Sequence, residues 1–328
     1  MGKYIIRRLI WGLVAILASV AVLFLIMRLL PGSPVGRLVG YENYNNETAA
    51  FLTEKYGLNK PIYIQFLLYI RNLLNGDWGD SYVNGIPVWD VILPKIVPTV
   101  ILTLPVALIS FSLGVKIAFS SEQWSKAKTK VMLVICDFFC SLPNFLLALG
   151  LVYLLSYKLR IFPTVGMHDS RNEYVGLMNI VDVLYHIILP VLSLSIIDTA
   201  QFIKITKASI ENEKKANYID FLMLNGLSSK KVKGKYIFKN AIIPSLNTLS
   251  IAMTRIVSGA LYVEIIFAWP GLGRLLYQSI MNRDYLVLSA CFFLITVFVI
   301  AFMILIDIVH AVIDPRLRSR RYDFNSQI

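Results

Sequence analysis

Charge is what this sequence has least of: 16% of its 328 residues are Asp, Glu, Lys or Arg, where a soluble domain carries roughly 25%. Acidic residues are the scarcer sign, 20 against 32 Lys plus Arg. That shortage excludes a disordered chain, and the 57% apolar share is more than a soluble particle of this length can hide. With three cysteines there is no disulfide framework. Cys136, Cys140 and Cys291 fall in apolar runs; Cys136 and Cys140 share a helical face, but with His168, His186 and His310 scattered they read as small packing residues, not as metal ligands. What is abundant is uninterrupted apolar sequence, so the chain is expected to be an all-α polytopic membrane protein in contact with lipid.

Four runs are long enough to cross a hydrocarbon core, which takes roughly 20 residues: Leu9 to Met27, Ile96 to Val115, Phe138 to Tyr157 and Tyr285 to Ile306. Two further runs carry charge. Leu189 to Lys204 contains Asp198, and Ala241 to Trp269 contains Arg255 and Glu264. These are read as helices facing protein or water, because lipid does not tolerate such groups. Glu264, near the outer end, and Asp307 and His310, near the inner end, are placed at interfacial depth. The expectation is six transmembrane helices.

Six crossings return both termini to one side, and the basic residues say which. Segments 1–8, 122–130, 204–243 and 316–328 hold 19 Lys/Arg in 70 residues; the opposite segments 28–95, 158–188 and 269–285 hold 11 in 116. The denser side is cytoplasmic. The net charge of +12 is therefore an orientation signal facing an anionic leaflet, not a nucleic-acid footprint. The first run exceeds the 7 to 15 apolar residues of a signal peptide and is read as an uncleaved anchor, residues 1–30.

The outer segment 31–95 is polar and turn-rich, with turns at Tyr56-Gly57-Leu58-Asn59-Lys60-Pro61 and Gly76-Asp77-Trp78-Gly79-Asp80-Ser81. Asn46-Glu47-Thr48 is a sequon in isolation and carries no weight. Trp269-Pro270-Gly271-Leu272-Gly273 lacks a G-x-G-x-x-G continuation and reads as a turn at a helix end. In the inner loop 205–243, Tyr218 to Asn225 is predicted to form a short helix stopped by Gly226. Ser228 is predicted to cap a second helix running to Asn240. Phe221 to Leu224 are apolar in a basic loop outside the membrane. They either pack under their own helix ends or on the bilayer, or enter a groove on a partner protein.

The chain resembles the membrane permease subunits of ABC importers, of the oligopeptide/dipeptide/nickel class, almost from end to end. The resemblance rests on Met27-Arg28-Leu29-Leu30-Pro31-Gly32-Ser33-Pro34, Lys55-Tyr56-Gly57-Leu58-Asn59-Lys60-Pro61, Gly76-Asp77-Trp78-Gly79 and Leu142-Pro143-Asn144-Phe145. It continues through Phe162-Pro163-Thr164-Val165-Gly166, Glu264-Ile265-Ile266-Phe267, Trp269-Pro270-Gly271-Leu272-Gly273, Asn282-Arg283-Asp284-Tyr285 and Asp314-Pro315-Arg316. The family's cytoplasmic Glu-Ala-Ala triplet falls on Asp220-Phe221-Leu222, with Gly226-Leu227-Ser228 in register; two small residues are replaced here by bulky ones.

The resemblance implies a permease core, 96–314, followed by a basic tail, 315–328. It implies that Asp220, Phe221, Leu222, Gly226, Leu227 and Ser228 couple to an ATPase. The implied partners are a sister permease, two cytoplasmic ATPases and an extracytoplasmic substrate-binding protein, in the cell membrane of a prokaryote. The chain has no G-x-x-x-x-G-K-[ST], so ATP and Mg belong to the partners and no cofactor or catalytic residue is expected here. Arg255 and Asp198 have two readings: an ion pair joining two helices, or a translocation path in which Arg255 meets a substrate carboxylate. Peptides are favoured as substrate, with nickel or a metal chelate as the alternative. A secondary transporter would show inverted halves, and an intramembrane protease a G-x-S-x-G or G-x-G-D motif; neither pattern occurs.

Overall fold

The computed structural model describes residues 2–29, 50, 53–54, 59–81, 83–169, 171–172 and 174–313. The motifs expected at 31–34, 56–58 and 314–316, the sequon at 46–48 and the basic tail lie outside the described residues. What is described is helical, with one isolated bridge between Asp80 and Pro87.

The elements are α1 (Gly2–Leu29), α2 (Ile62–Leu74), α3 (Val88–Ser120), α4 (Lys126–Ser141), α5 (Asn144–Lys158), α6 (Leu177–Lys214), α7 (Asn217–Leu224), α8 (Ser229–Ile266), α9 (Leu272–Met281) and α10 (Tyr285–Ile313). Five of them, α1, α3, α6, α8 and α10, are long and apolar enough to cross a membrane. The sixth crossing requires α4 and α5 to be counted together. They are not the straight helix expected over Phe138 to Tyr157, because they bend by 102° at Leu142–Pro143. Pro143 has no N–H to donate and forces Leu142 into the extended region, φ −81° and ψ 135°. An uninterrupted apolar run does not reveal that constraint.

The helices α6 and α8, each 38 residues, are about 57 Å long at 1.5 Å per residue. They outrun a roughly 30 Å hydrocarbon core. Their surplus length makes one end of the molecule, where α7 joins them; α9 lies at the other end. The second short helix expected from Ser228 to Asn240 is not separate. Nothing between Asn240 and Ala241 stops it, and it continues into α8 through a π-helical turn at Val232–Ile237.

Three prolines inside α3 and one inside α6 are tolerated because neighbouring helices cover the freed backbone groups. α3 packs most extensively on α6, and α6 on α8. Leu102, Val106, Leu194, Phe202, Met253 and Ile256 form their common core, with the Phe111 and Phe202 rings edge to face at 5.6 Å. α1 lies along α10, tied by Arg8 Nε to Asp307 Oδ2 at 3.2 Å.

Candidate functional site

The polar residues of α8 form a stripe. Thr254, Arg255, Ser258 and Tyr262 recur at helical spacing on one side, while Met253, Ile256, Val257 and Ala260 are buried on the other. The stripe faces the bend between α4 and α5, and with Pro143, Asn144 and Phe145 it lines a groove of about 370 Å³. Gly259 makes room for this wall: a Cβ there would stand 2.6 Å from Asn144 Nδ2. The break in the expected span therefore builds the groove, and apolar-run counting misses both together.

Asp198 and Arg255, expected either to pair or to line a path, are brought together. Arg255 Nη2 donates to Asp198 Oδ1 at 3.0 Å. The partners are unequally covered: the Asp198 side chain is 8% exposed and that of Arg255 is 40% exposed. Asp198 is thus the anchored member. The guanidinium, with five donors, uses one of them in this bond and opens its remaining edge to the groove.

At the far end of α6 and α8, the most deeply buried residue of α7 is one that sequence reasoning missed. Ile219 is 6% exposed and sits among Ala118 of α3, Ile210 of α6 and Val232, Ile237 and Ala241 of α8. The apolar residues treated as a block from Phe221 to Leu224 divide. Leu222 and Leu227 pack against that cluster, whereas Phe221, Met223 and Leu224 project outward, Leu224 at 87% exposed. Gly226 has φ +81°, and the N–H groups of Gly226 and Leu227 close on the carbonyls of Met223 and Leu222 at 3.0 and 3.2 Å. This is the left-handed stop the sequence predicted. Ser228 Oγ caps α8, accepting from Lys231 N at 3.4 Å. Asp220 is exposed. The Tyr218 hydroxyl meets Glu213 and also accepts from Asn240 Nδ2 at 2.9 Å.

Above α7, Glu122 is buried in the α3–α4 connection, where Lys207 reaches it at 2.5 Å and Lys214 also pairs with it. Lys204 meets Asp137 at 2.5 Å. Lysines that registered only as an orientation signal thus bind the lower half of α6 to its neighbours.

At the opposite end, Glu264 is fully buried among the helices. Thr99 Oγ1 donates to its Oε1 at 2.7 Å, and Arg274 N to its Oε2 at 2.9 Å. Leu272 N donates to Thr99 at 2.7 Å, and Trp269 Nε1 to Pro98 O at 2.9 Å. The Trp269 to Gly273 turn exists to fit this carboxylate, since a Cβ at Gly271 would meet Glu264 Oε1 at 2.1 Å. One buried acid therefore joins α3, α8 and the start of α9. On the same side, Asp182 stands 3.1 Å from His186 and 3.6 Å from His168. Among the described residues no group of three or more His, Cys, Asp or Glu could hold a metal ion.

Residues 110–319, which carry the groove, α7 and Glu264, match the family described as binding-protein-dependent transport system inner membrane component; residues 1–103, with Thr99, match its N-terminal companion. The chain belongs to this family. It is thus an ABC importer permease, a multi-pass inner-membrane protein. It is 30% identical to an oligopeptide transport system permease protein of Bacillus subtilis, over 97% of this chain and 99% of that one. A glutathione transport system permease protein of Salmonella choleraesuis is 31% identical over 98% and 100%, and a dipeptide transport system permease protein of Escherichia coli is 27% identical over the same shares. In this permease both the open ion pair and the exposed face of α7 lie in the part matched by the principal family description.

Proposed function

We propose that this permease pairs with a sister permease to pass peptides inward, and that Arg255 receives a free substrate carboxylate in the groove between α5 and α8. The supporting observation is the unequal ion pair: Asp198 is covered while Arg255 presents its guanidinium to a polar-walled groove. A planar guanidinium pairs with a carboxylate through two parallel hydrogen bonds, the strong geometry for such recognition. The relatives named for oligopeptides, dipeptides and glutathione point to substrates that bear such a group.

Energy comes from two partner ATPases, which bind the nucleotide and Mg; the chain itself is a transport subunit without catalysis. The ATPases engage Phe221, Met223 and Leu224. Ile219 passes the displacement to α3, α6 and α8 at once, and α6 and α8 carry Asp198 and Arg255. Asp220 and the Gly226-Leu227-Ser228 turn set the angle at which α7 is presented. The Lys/Arg distribution supports a cytoplasmic α7 and cytoplasmic termini, and an extracytoplasmic binding protein delivers substrate over segments 31–95 and 269–285.

The test is uptake into vesicles carrying the complete transporter, comparing a peptide having a free C-terminal carboxylate with its amide. Wild type should prefer the acid, and Arg255→Gln should lose that preference while retaining vanadate-sensitive uptake of the amide. An unchanged preference in Arg255→Gln overturns the carboxylate assignment. Uptake without nucleotide overturns the ATP-driven reading, and uptake of a nickel chelate in place of peptide overturns the peptide assignment.

A further inference from the structure

The helix α7 is held on two sides. Ile219 fixes its inner side in the apolar cluster of α3, α6 and α8, and Leu222, three residues on and on the same face, packs beside it. Apolar contact has no direction. By itself it keeps α7 close and leaves it free to roll about its own axis. Such a roll would re-aim the exposed side chains of Phe221, Met223 and Leu224.

The second hold is a closed triangle of hydrogen bonds with one member on each of three helices. Asn240 Nδ2, on α8, donates to Glu213 Oε1 of α6 at 2.8 Å and to the Tyr218 hydroxyl of α7 at 2.9 Å; that hydroxyl in turn donates to Glu213 Oε1. The count closes, because the amide has two N–H groups, the phenol one O–H, and the carboxylate oxygen accepts twice. Two of the three bonds end on a carboxylate, the stronger kind, and all of them need alignment. Tyr218 and Ile219 are adjacent, so their side chains leave the helix about 100° apart. Two anchors in different directions remove the roll that one permits.

The triangle also spans the chain on both sides of α7. Glu213 lies at the end of α6 and Asn240 near the start of α8, 27 residues later. These are the two helices that carry Asp198 and Arg255. Asn240 is fifteen residues from Arg255, about 22 Å at 1.5 Å per residue, so the triangle acts on the groove only through the helices themselves.

We infer that Glu213, Tyr218 and Asn240 are positioning residues for transport: their triangle fixes the rotation of α7 and makes α6 and α8 move together when an ATPase pushes on it. The inference rests on the reading of α7 as the ATPase contact. With the triangle open, α7 rolls over Ile219 in place of moving the long helices, and ATP is hydrolysed without peptide being carried.

The experiment uses the complete transporter in proteoliposomes, with an enzymatic digest of casein as the peptide source, and measures ATP hydrolysed per peptide imported. Tyr218→Phe keeps the ring and removes the hydroxyl; import should fall about tenfold while hydrolysis stays within about twofold of wild type, the scale of one hydrogen bond to a charged group. Asn240→Leu should do the same, and the double variant should be no worse than either, since the three residues act as one unit. Glu213→Gln keeps an accepting oxygen and should stay coupled, whereas Glu213→Ala should not. A merely structural role would lower hydrolysis and import together. An unchanged ratio in Tyr218→Phe therefore overturns the inference, whether both rates hold or both fall, and so does uncoupling in Glu213→Gln as severe as in Glu213→Ala. Leu224→Ser separates the two levels: normal import by that variant overturns the ATPase contact itself, whereas its inactivity beside a normal Tyr218→Phe overturns the triangle alone.

Discussion

Asp198 and Glu264 both place a carboxylate in the interior beside the same helix, and they are held in opposite ways. Glu264 is saturated: a threonine hydroxyl and a backbone N–H donate to its two oxygens, and Gly271 and Gly273 close over it. Its contacts run to three helices and leave nothing open. Asp198 has one cationic partner, Arg255, about 13 Å further down α8 from Glu264 at 1.5 Å per residue, and that partner faces a groove. A carboxylate closed in on every side serves as a joint. A carboxylate that holds one end of an exposed guanidinium leaves that guanidinium able to change partners. The same chemical group thus fixes the end of α8 next to α9 and leaves an exposed guanidinium at its middle.

Five substitutions would break or sharpen that contrast. Gly271→Ala should have the largest effect, because its Cβ has no place beside Glu264 and the α9 turn must move; a loss of about 3 kcal/mol is expected, read as a lowered melting temperature in detergent. Arg255→Ala should cost about 2 kcal/mol by leaving Asp198 covered and unpaired, the exposed side of the pair reducing the penalty. Adding Asp198→Asn should recover most of it, so the double variant is markedly non-additive. Glu264→Gln keeps the shape but turns an amide NH2 toward a donor; about 1 kcal/mol should be lost. If it proved as costly as Gly271→Ala, charge and not fit would be holding the joint. Leu224→Ser should change stability least, within about 0.5 kcal/mol, while abolishing ATP-dependent uptake. Full transport by that variant would remove α7 from the coupling role.

Much of the fold was legible in the sequence because apolar run length and helix rise together fix what can cross a bilayer. Leu9 to Met27 and Tyr285 to Ile306 lie inside α1 and α10 for this reason. Gly226 likewise announced the end of α7, since few other residues adopt its positive φ. The break at Leu142–Pro143 was not legible from hydropathy: both sides are equally apolar, and the constraint sits in one proline's backbone. Ile219 could not be singled out from Phe221 to Leu224, because all are apolar and only the neighbouring helices decide which of them turns inward. The stripe Thr254, Arg255, Ser258 and Tyr262 was a missed signal. Its period was present in the sequence, though its meaning depends on the bend across from it.

The sequence by itself determined that this chain lives in a membrane, how many times its apolar runs can cross, which side its basic loops favour and to which family it is similar. These follow from one-dimensional quantities: run length, charge density and motif order. Only the tertiary structure decided that Glu264 is a joint and Asp198 a tether, and that three of the four apolar residues from Phe221 to Leu224 face outward while Ile219 turns in. Each depends on what lies opposite a side chain, and for the pairs that matter here the opposite side chain is dozens to more than a hundred residues away.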